Sequence, residues 1–266
     1  MKDMIDNSAL RAQYNPEGSD LRKAQMRMLD ILKVVDGICR KHGLKYWLTC
    51  ATLLGAIRHG GFVPWDDDLD IAMMREDYLK LMEILPKELP ENLELQNDVT
   101  EPGYVYLYAK VRDKNSLIVE TCDVNKRFKQ QGLFIDIFPM ETSIFGLCKI
   151  SAPLFNRMCF NVALNRGTDC TLYKMNRFIL VKVLFPCFRF ISKLIGPKDK
   201  VHHTFGVNFL QEKTTQMIFP LGKVKFEDVE LSAPADPDAY LTKHFGNYMR
   251  LPDNIQPVHA EEIKIW

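Results

Sequence analysis

The chain has 266 residues, 47% of them hydrophobic and 26% charged, which excludes wholesale disorder and allows one sizeable core or two small ones. Lys+Arg (35) and Asp+Glu (34) nearly cancel to a formal charge of +1, so no global basic field points to nucleic acid and any phosphate recognition must be local. The cysteines number seven and form no CxxC pair, which suits reduced thiols better than disulfides or zinc, and the acids Asp3 and Asp6 interrupt any signal-peptide core; a cytoplasmic protein is expected.

In chain order, residues 1–18 read as a polar tail. Ser19 or Asp20 can cap a helix whose apolar positions Leu21, Ala24, Met28, Leu32, Val35 and Cys39 recur at steps of three and four, and His42-Gly43 ends it. A short strand over Lys45-Tyr46-Trp47-Leu48-Thr49 precedes a helix from Thr52 to Arg58, and Gly60-Gly61 and Pro64 turn the chain into a strand from Asp68 to Met73. A helix at 76–85 leads to a β-rich middle, with strands at Leu93 to Gln96, Tyr104 to Arg112, Leu117 to Glu120 and Leu133 to Phe138. From 144 to about 212 the periodicity is helical, followed by a hairpin-like stretch, Val224 to Leu231, and a helix from Pro237 to Phe245. The expected organisation is a catalytic core over 19–142 and a mostly helical region over 143–266.

The chemistry concentrates in Pro64-Trp65-Asp66-Asp67-Asp68-Leu69-Asp70. Alternate residues of a strand share a face, so an extended run would align Asp66, Asp68 and Asp70. Aligned buried carboxylates repel, and a divalent cation resolves the conflict; an all-oxygen set favours magnesium or manganese. Most Asp runs are solvated turns, but this one lies between apolar segments and has no interleaved bases. The strand-to-helix turn at Thr49–Thr52 leaves free N–H groups that could seat a phosphate, with the Thr52 hydroxyl beside them. Asp136, alone in Gly132-Leu133-Phe134-Ile135-Asp136-Ile137-Phe138-Pro139, either faces a cation, accepts a proton, or forms a structural pair with an arginine. Lys110 and Arg112 alternate on one strand; they and Arg58 are ordinary surface charges or neutralise the phosphates of a donor.

Residues 177–195 (RFILVKVLFPCFRFISKLI) are strongly apolar yet carry Lys182, Pro186, Arg189 and Lys193. A spanning helix needs about 20 apolar residues with few charges. The expectations are a packed helical pair broken near Pro186, or a basic amphipathic patch resting on a membrane surface.

Together these residues resemble the LicD family, which includes the fukutin-related proteins and belongs to the nucleotidyltransferase superfamily. The resemblance runs from about Leu21 to His259 and is densest in KYWLTCATLLGAIRHGGFVPWDDDLDIAMMREDY, residues 45–78. Lys110-Val111-Arg112-Asp113, Gly132 to Pro139, Phe226-Glu227, Pro234 and Phe245-Gly246-Asn247-Tyr248-Met249 continue it. It implies an α/β (α+β) fold with a nucleotidyltransferase-like mixed sheet and flanking helices. It also implies a metal, magnesium or manganese, on Asp68 and Asp70, Asp136 as third carboxylate, Asp66 as a further participant, and Thr52 in the phosphate turn. The implied activity is transfer of phosphocholine or a related phospho-alcohol from CDP-choline or another CDP-alcohol to a glycan or glycolipid hydroxyl, leaving a phosphodiester.

Two departures stand out: Ala51 where the family usually has glycine, and Asn247 where it usually has Asp. Rival readings are a glycosyltransferase whose Asp-x-Asp binds a nucleotide-sugar metal, a nucleotidyltransferase moving the nucleotide itself, and a non-catalytic binding protein. The first would need a nucleotide-binding βαβ unit ahead of the motif, which the pattern lacks.

Overall fold

The computed structural model describes residues 6–255 and 260–266. Met1 to Ile5, part of the expected tail, and His259, the end of the family resemblance, lie outside the described residues.

Residues 7–14, expected as tail, form α1 (Asn7–Tyr14), capped by the Asp6 carboxylate, which accepts from the N–H groups of Ser8 and Ala9. Helix α2 (Asp20–Lys41) starts where Ser19 Oγ accepts from the Arg22 N–H, and it buries Ala24, Met28, Leu32, Val35 and Cys39 along one face. Strand β1 (Tyr46–Leu48) runs into α3 (Cys50–His59), which ends at Gly60 in the left-handed conformation. Strand β2 is Asp70–Met74 and α4 is Arg75–Glu88. The expected strand from Asp68 therefore starts two residues late, because Pro64 to Leu69 form an irregular loop.

Strands β3 (Leu93–Gln96), β4 (Ala109–Asp113), β5 (Ser116–Glu120) and β6 (Phe134–Thr142) follow. Residues 104–108, expected as the start of β4, are irregular. The helical unit comprises α5 (Phe145–Phe155), α6 (Asn161–Arg166), α7 (Thr171–Phe178) and α8 (Phe185–Ile195). No break occurs near Pro186: a wide π-type turn over Ile179–Leu184 joins α7 to α8. Pro186 sits in the first turn of α8, directly after that wide turn, where the missing N–H and the ring are tolerated better than inside a regular helix.

The expected helical stretch to 212 stops at Ile195, and the chain returns to the sheet through β7 (Lys200–His203) and β8 (Lys213–Thr214). A short α9 (Thr215–Ile218), the hairpin β9 (Gly222–Phe226) and β10 (Val229–Ala233), α10 (Pro237–Phe245) and β11 (Ala260–Ile265) complete the fold. It is an α+β structure.

The main sheet orders β1-β2-β6-β4-β3, and β6 also pairs with β7 through its second half. Only β2 and β6 run parallel within it; the other pairs are antiparallel. Strand β6 is flanked on both edges and buried over residues 134–141, which explains its unbroken apolar reading. One core cluster joins the sheet to α2, α4, the β9–β10 hairpin and α10. A second, around Phe155, Leu180, Phe185 and Phe205, belongs to the helical unit.

Candidate active site

Three strands bring the chemistry into line. Asp70 opens β2 directly opposite Asp136 of β6, and Asp136 stands opposite Lys110 of β4. Residues in register on neighbouring strands project to the same face, so the three side chains form a row across the sheet. Lys110 Nζ lies 2.8 Å from Asp136 Oδ1, with both side chains at most 10% exposed. A pocket of about 260 Å³ opens over this row, walled by Asp67, Asp68, Asp70, Glu120 and Asp136 and by the rings of Tyr106, Tyr108, Phe138 and Phe209.

The acidic loop is held from behind. Gln25, fully buried on α2, donates to the carbonyls of Asp66 (2.8 Å) and Val63 (3.3 Å), and Asn15 donates to Gln25 at 2.6 Å. Trp65 packs edge-on against Tyr14 and His59, with centroids 5.3 and 5.8 Å away. Asp67 Oδ2 accepts from the Ala260 N–H at 2.8 Å, which ties the loop to β11. These contacts fix the loop backbone while four carboxylates crowd together.

That crowding shows in the protonation of the site. Burial raises the pKa of Asp70 well above its usual range, and the charges of Asp68, Asp136 and Asp66 push it further against the pull of Lys110. Asp66 is also raised, by burial and then by the charges of Asp68 and Asp67, and it shares a hydrogen bond with Asp68. Burial raises Asp136 too, while Lys110 draws it part of the way back. Among the described residues, no group of three or more His, Cys, Asp or Glu side chains is already arranged to hold a metal ion. The donor set nevertheless fits one: several buried, mutually repelling carboxylates converge from two segments, and among the described residues Lys110 is the one basic residue on the pocket wall.

The remaining expected site residues lie elsewhere. Thr52 is buried, and its Oγ1 accepts from the Asp70 N–H at 2.8 Å, so the hydroxyl anchors the start of β2. Arg58, at the other end of α3, donates to the Tyr248 carbonyl (2.7 Å) and to His59 (2.8 Å), away from the acidic pocket. Arg112 shares the face of Lys110 but is spent on Gln96 (2.6 Å), the Gly132 carbonyl (2.7 Å) and Glu120 (3.2 Å), with its guanidinium over Phe134. Asp66 stands behind Asp68 rather than on the pocket wall, because the alternation rule fails in a loop. At the start of α3, Cys50 and not Ala51 takes positive φ, at 49°, so position 51 does not require glycine's conformational freedom.

Sequence reasoning missed Gln25, Glu120 and the aromatic wall. A signal for the wall was present: Tyr104, Tyr106 and Tyr108 alternate, and neighbouring rings stand 5.5 and 5.1 Å apart. Gln25 is visible only as one of three polar residues, with Arg22 and Asp36, among the apolar positions that α2 buries.

A family profile described as LicD/FKTN/FKRP, nucleotidyltransferase domain, matches residues 43–153, which hold β1 through β6 and most of the pocket wall. The chain is 26% identical over 269 residues to the lipopolysaccharide cholinephosphotransferase LicD of Haemophilus influenzae, covering 92% of this chain and 98% of that one. It is 44% identical over 45 residues to the human ribitol 5-phosphate transferase FKRP, covering 17% of this chain and 9% of that protein. A yeast protein named mannosyltransferase regulator 4 shares 24% identity over 136 residues, 11% of its length.

Proposed function

We infer that this chain, which matches the LicD-family nucleotidyltransferase profile over residues 43–153, is a LicD-type phosphotransferase that moves phosphocholine or a related phospho-alcohol from a CDP-activated donor to a glycan hydroxyl. Relatives named for phosphocholine and ribitol 5-phosphate transfer support the class of reaction. The observation that carries the assignment of the site is the Asp70–Asp136–Lys110 row with Asp68 beside it.

Asp68, Asp70 and Asp136, with Asp66 behind them, would hold magnesium or manganese. Such an ion would offset charge on the donor phosphates and on the leaving cytidine monophosphate. Lys110 orients Asp136 and adds a fixed positive charge at the pocket floor. If the ion rests on Asp68 and Asp70 alone, Asp136 would instead take the proton of the acceptor hydroxyl as that oxygen attacks phosphorus. The rings of Tyr106, Tyr108, Phe138 and Phe209 exclude water from one wall and offer the aromatic faces that a quaternary ammonium such as choline favours.

Thermal shift against CDP-choline, CDP-ethanolamine, CDP-polyols, CTP and UDP-sugars, each with and without magnesium, tests this reading. A ligand at ~100 times its Kd adds about 2.7 kcal/mol, a readable shift. Magnesium-dependent stabilisation by one CDP-alcohol is the expected result. Stabilisation by CTP alone would move the assignment to nucleotide transfer, and by UDP-sugars alone to sugar transfer.

A further inference from the structure

The helical run from Thr171 through Ile195 carries two opposed surfaces. Tyr173, Asn176, Leu180, Phe185 and Ser192 are buried beneath it. On the outside, Phe178 (62% exposed), Phe190 (63%), Leu194 (64%) and Ile195 (78%) face solvent, with Ile179 and Val183 between them. The one extra residue that the wide turn at Ile179–Leu184 accommodates keeps both surfaces in phase through α7 and α8, so the exposed side chains form one stripe. Soluble surfaces seldom leave so many large apolar side chains contiguous without a partner.

The charge of the run selects among partners. Residues 171–195 contain five cations and no Asp or Glu. Arg177 and Arg189 turn inward, to the Val105 carbonyl and to Glu141. Lys174, Lys182 and Lys193 remain exposed, and Lys193 lies next to Leu194 in the outward stripe. An apolar stripe with lysines and no acids complements anionic lipid, whereas an isologous contact with a second copy would set these like charges against each other. Among the described residues no helix is long and apolar enough to cross a membrane, so the run would lie in the interface.

We propose that the outer face of Thr171–Ile195 is a docking surface that seats the protein on an anionic bilayer. The placement matters for substrate access. Lys182, Pro186 and Arg189 also rim a basic pocket of about 370 Å³, completed by Arg75 and Arg177, which shares Tyr106 and Tyr108 with the acidic pocket. Docking therefore brings a lipid surface next to the wall of the active site. Only this last consequence, delivery of a lipid-linked glycan acceptor, rests on the proposed function.

Sedimentation with vesicles of phosphatidylcholine, alone or mixed with phosphatidylglycerol, tests the proposal. The protein should pellet with the mixed vesicles at low salt and be released at high salt. Phe190→Ser with Leu194→Ser should weaken binding at least about tenfold, and Lys182→Gln with Lys193→Gln about fivefold per cation removed. All four positions are exposed, and circular dichroism should be unchanged. Asp68→Asn protein should bind vesicles as the parent does, so vesicle binding without any CDP-alcohol shift would sink the transferase reading alone. Equal recovery in the supernatant with both vesicle types overturns the proposal. So does a dimer in solution that the Ser substitutions dissociate while vesicle binding stays absent, since the face would then belong to a second copy.

Discussion

At the scale of single residues, Glu227 and Asp70 represent two ways of burying a carboxylate. Glu227 is satisfied: it accepts from Arg22 (2.9 Å), Arg11 (3.2 Å) and the Phe62 N–H (3.1 Å). Burial alone would raise its pKa, yet these hydrogen bonds and charges hold it below the usual value. It thereby fastens the turn of the β9–β10 hairpin to α1, α2 and the loop entering the acidic run. Glu227→Gln leaves the buried Arg22 charge with only the exposed Glu17, 3.2 Å from its Nε, as counterion, and urea unfolding should show a loss of about 3 kcal/mol. Asp70 is the opposite case, destabilised by its neighbours. Asp70→Asn should lower kcat by about 10³-fold or more, since several kcal/mol of charge stabilisation is lost. Its melting temperature in EDTA should equal or exceed that of the parent, because one repelling charge is gone. A variant that melts earlier would make Asp70 a structural residue.

At the scale of elements, close backbone approach explains motif positions that chemistry does not. Gly55, inside Leu53-Leu54-Gly55-Ala56, lies where a Cβ would strike the Gly61 carbonyl and the Val63 amide of the acidic loop. Gly132, just before β6, lies where a Cβ would strike the Asp113 carbonyl at the end of β4. Both glycines let one segment of the site lie directly on another. Gly55→Ala and Gly132→Ala should each cost about 3 kcal/mol, since the obstacle is backbone and cannot rotate away. Gly146→Ala, with open space at its Cβ in the first turn of α5, is the control and should be neutral to stabilising by up to about 1 kcal/mol. Equal denaturant midpoints for all three would refute the close-approach account.

At the scale of the molecule, two buried histidines couple stability to acidity. Burial, then the charges of Arg58 and Arg11, lowers His59 from 6.5 to about 3. Burial, then His244, Lys213 and His202, lowers His203 to about 3. Both imidazoles are neutral when folded, whereas the unfolded chain takes up protons below its ordinary value. Their contribution is therefore complete above pH 6.5 and is lost as pH falls towards 3. Because Asp66, Asp70 and Asp136 are raised and titrate with the opposite sign, the test is a difference between proteins: the urea midpoint of the parent minus that of His59→Asn with His203→Asn should be constant from pH 7 to 8 and fall through pH 6 to 4. A difference that does not change with pH would place the effect on other groups.

Local and periodic information lay open in the sequence. The face of α2, the helix at Pro237–Phe245, the strand at Leu93–Gln96 and the unusual acid run at 66–70 follow from side-chain period and local charge, properties of a segment alone; that Asp136 belongs with this run is implied only by the family resemblance, and its pairing with Lys110 is a matter of strand register. Tertiary structure decided what depends on partners. The loop at 66–69 defeats strand alternation because Gln25 and Ala260 hold its backbone, and Arg112 is diverted from the pocket by Gln96, Gly132 and Glu120. The return of 200–203 to the edge of β6 is likewise a long-range pairing. Such pairings pit one segment's hydrogen bonds against another's across tens of residues, and no window of sequence contains both sides of that competition.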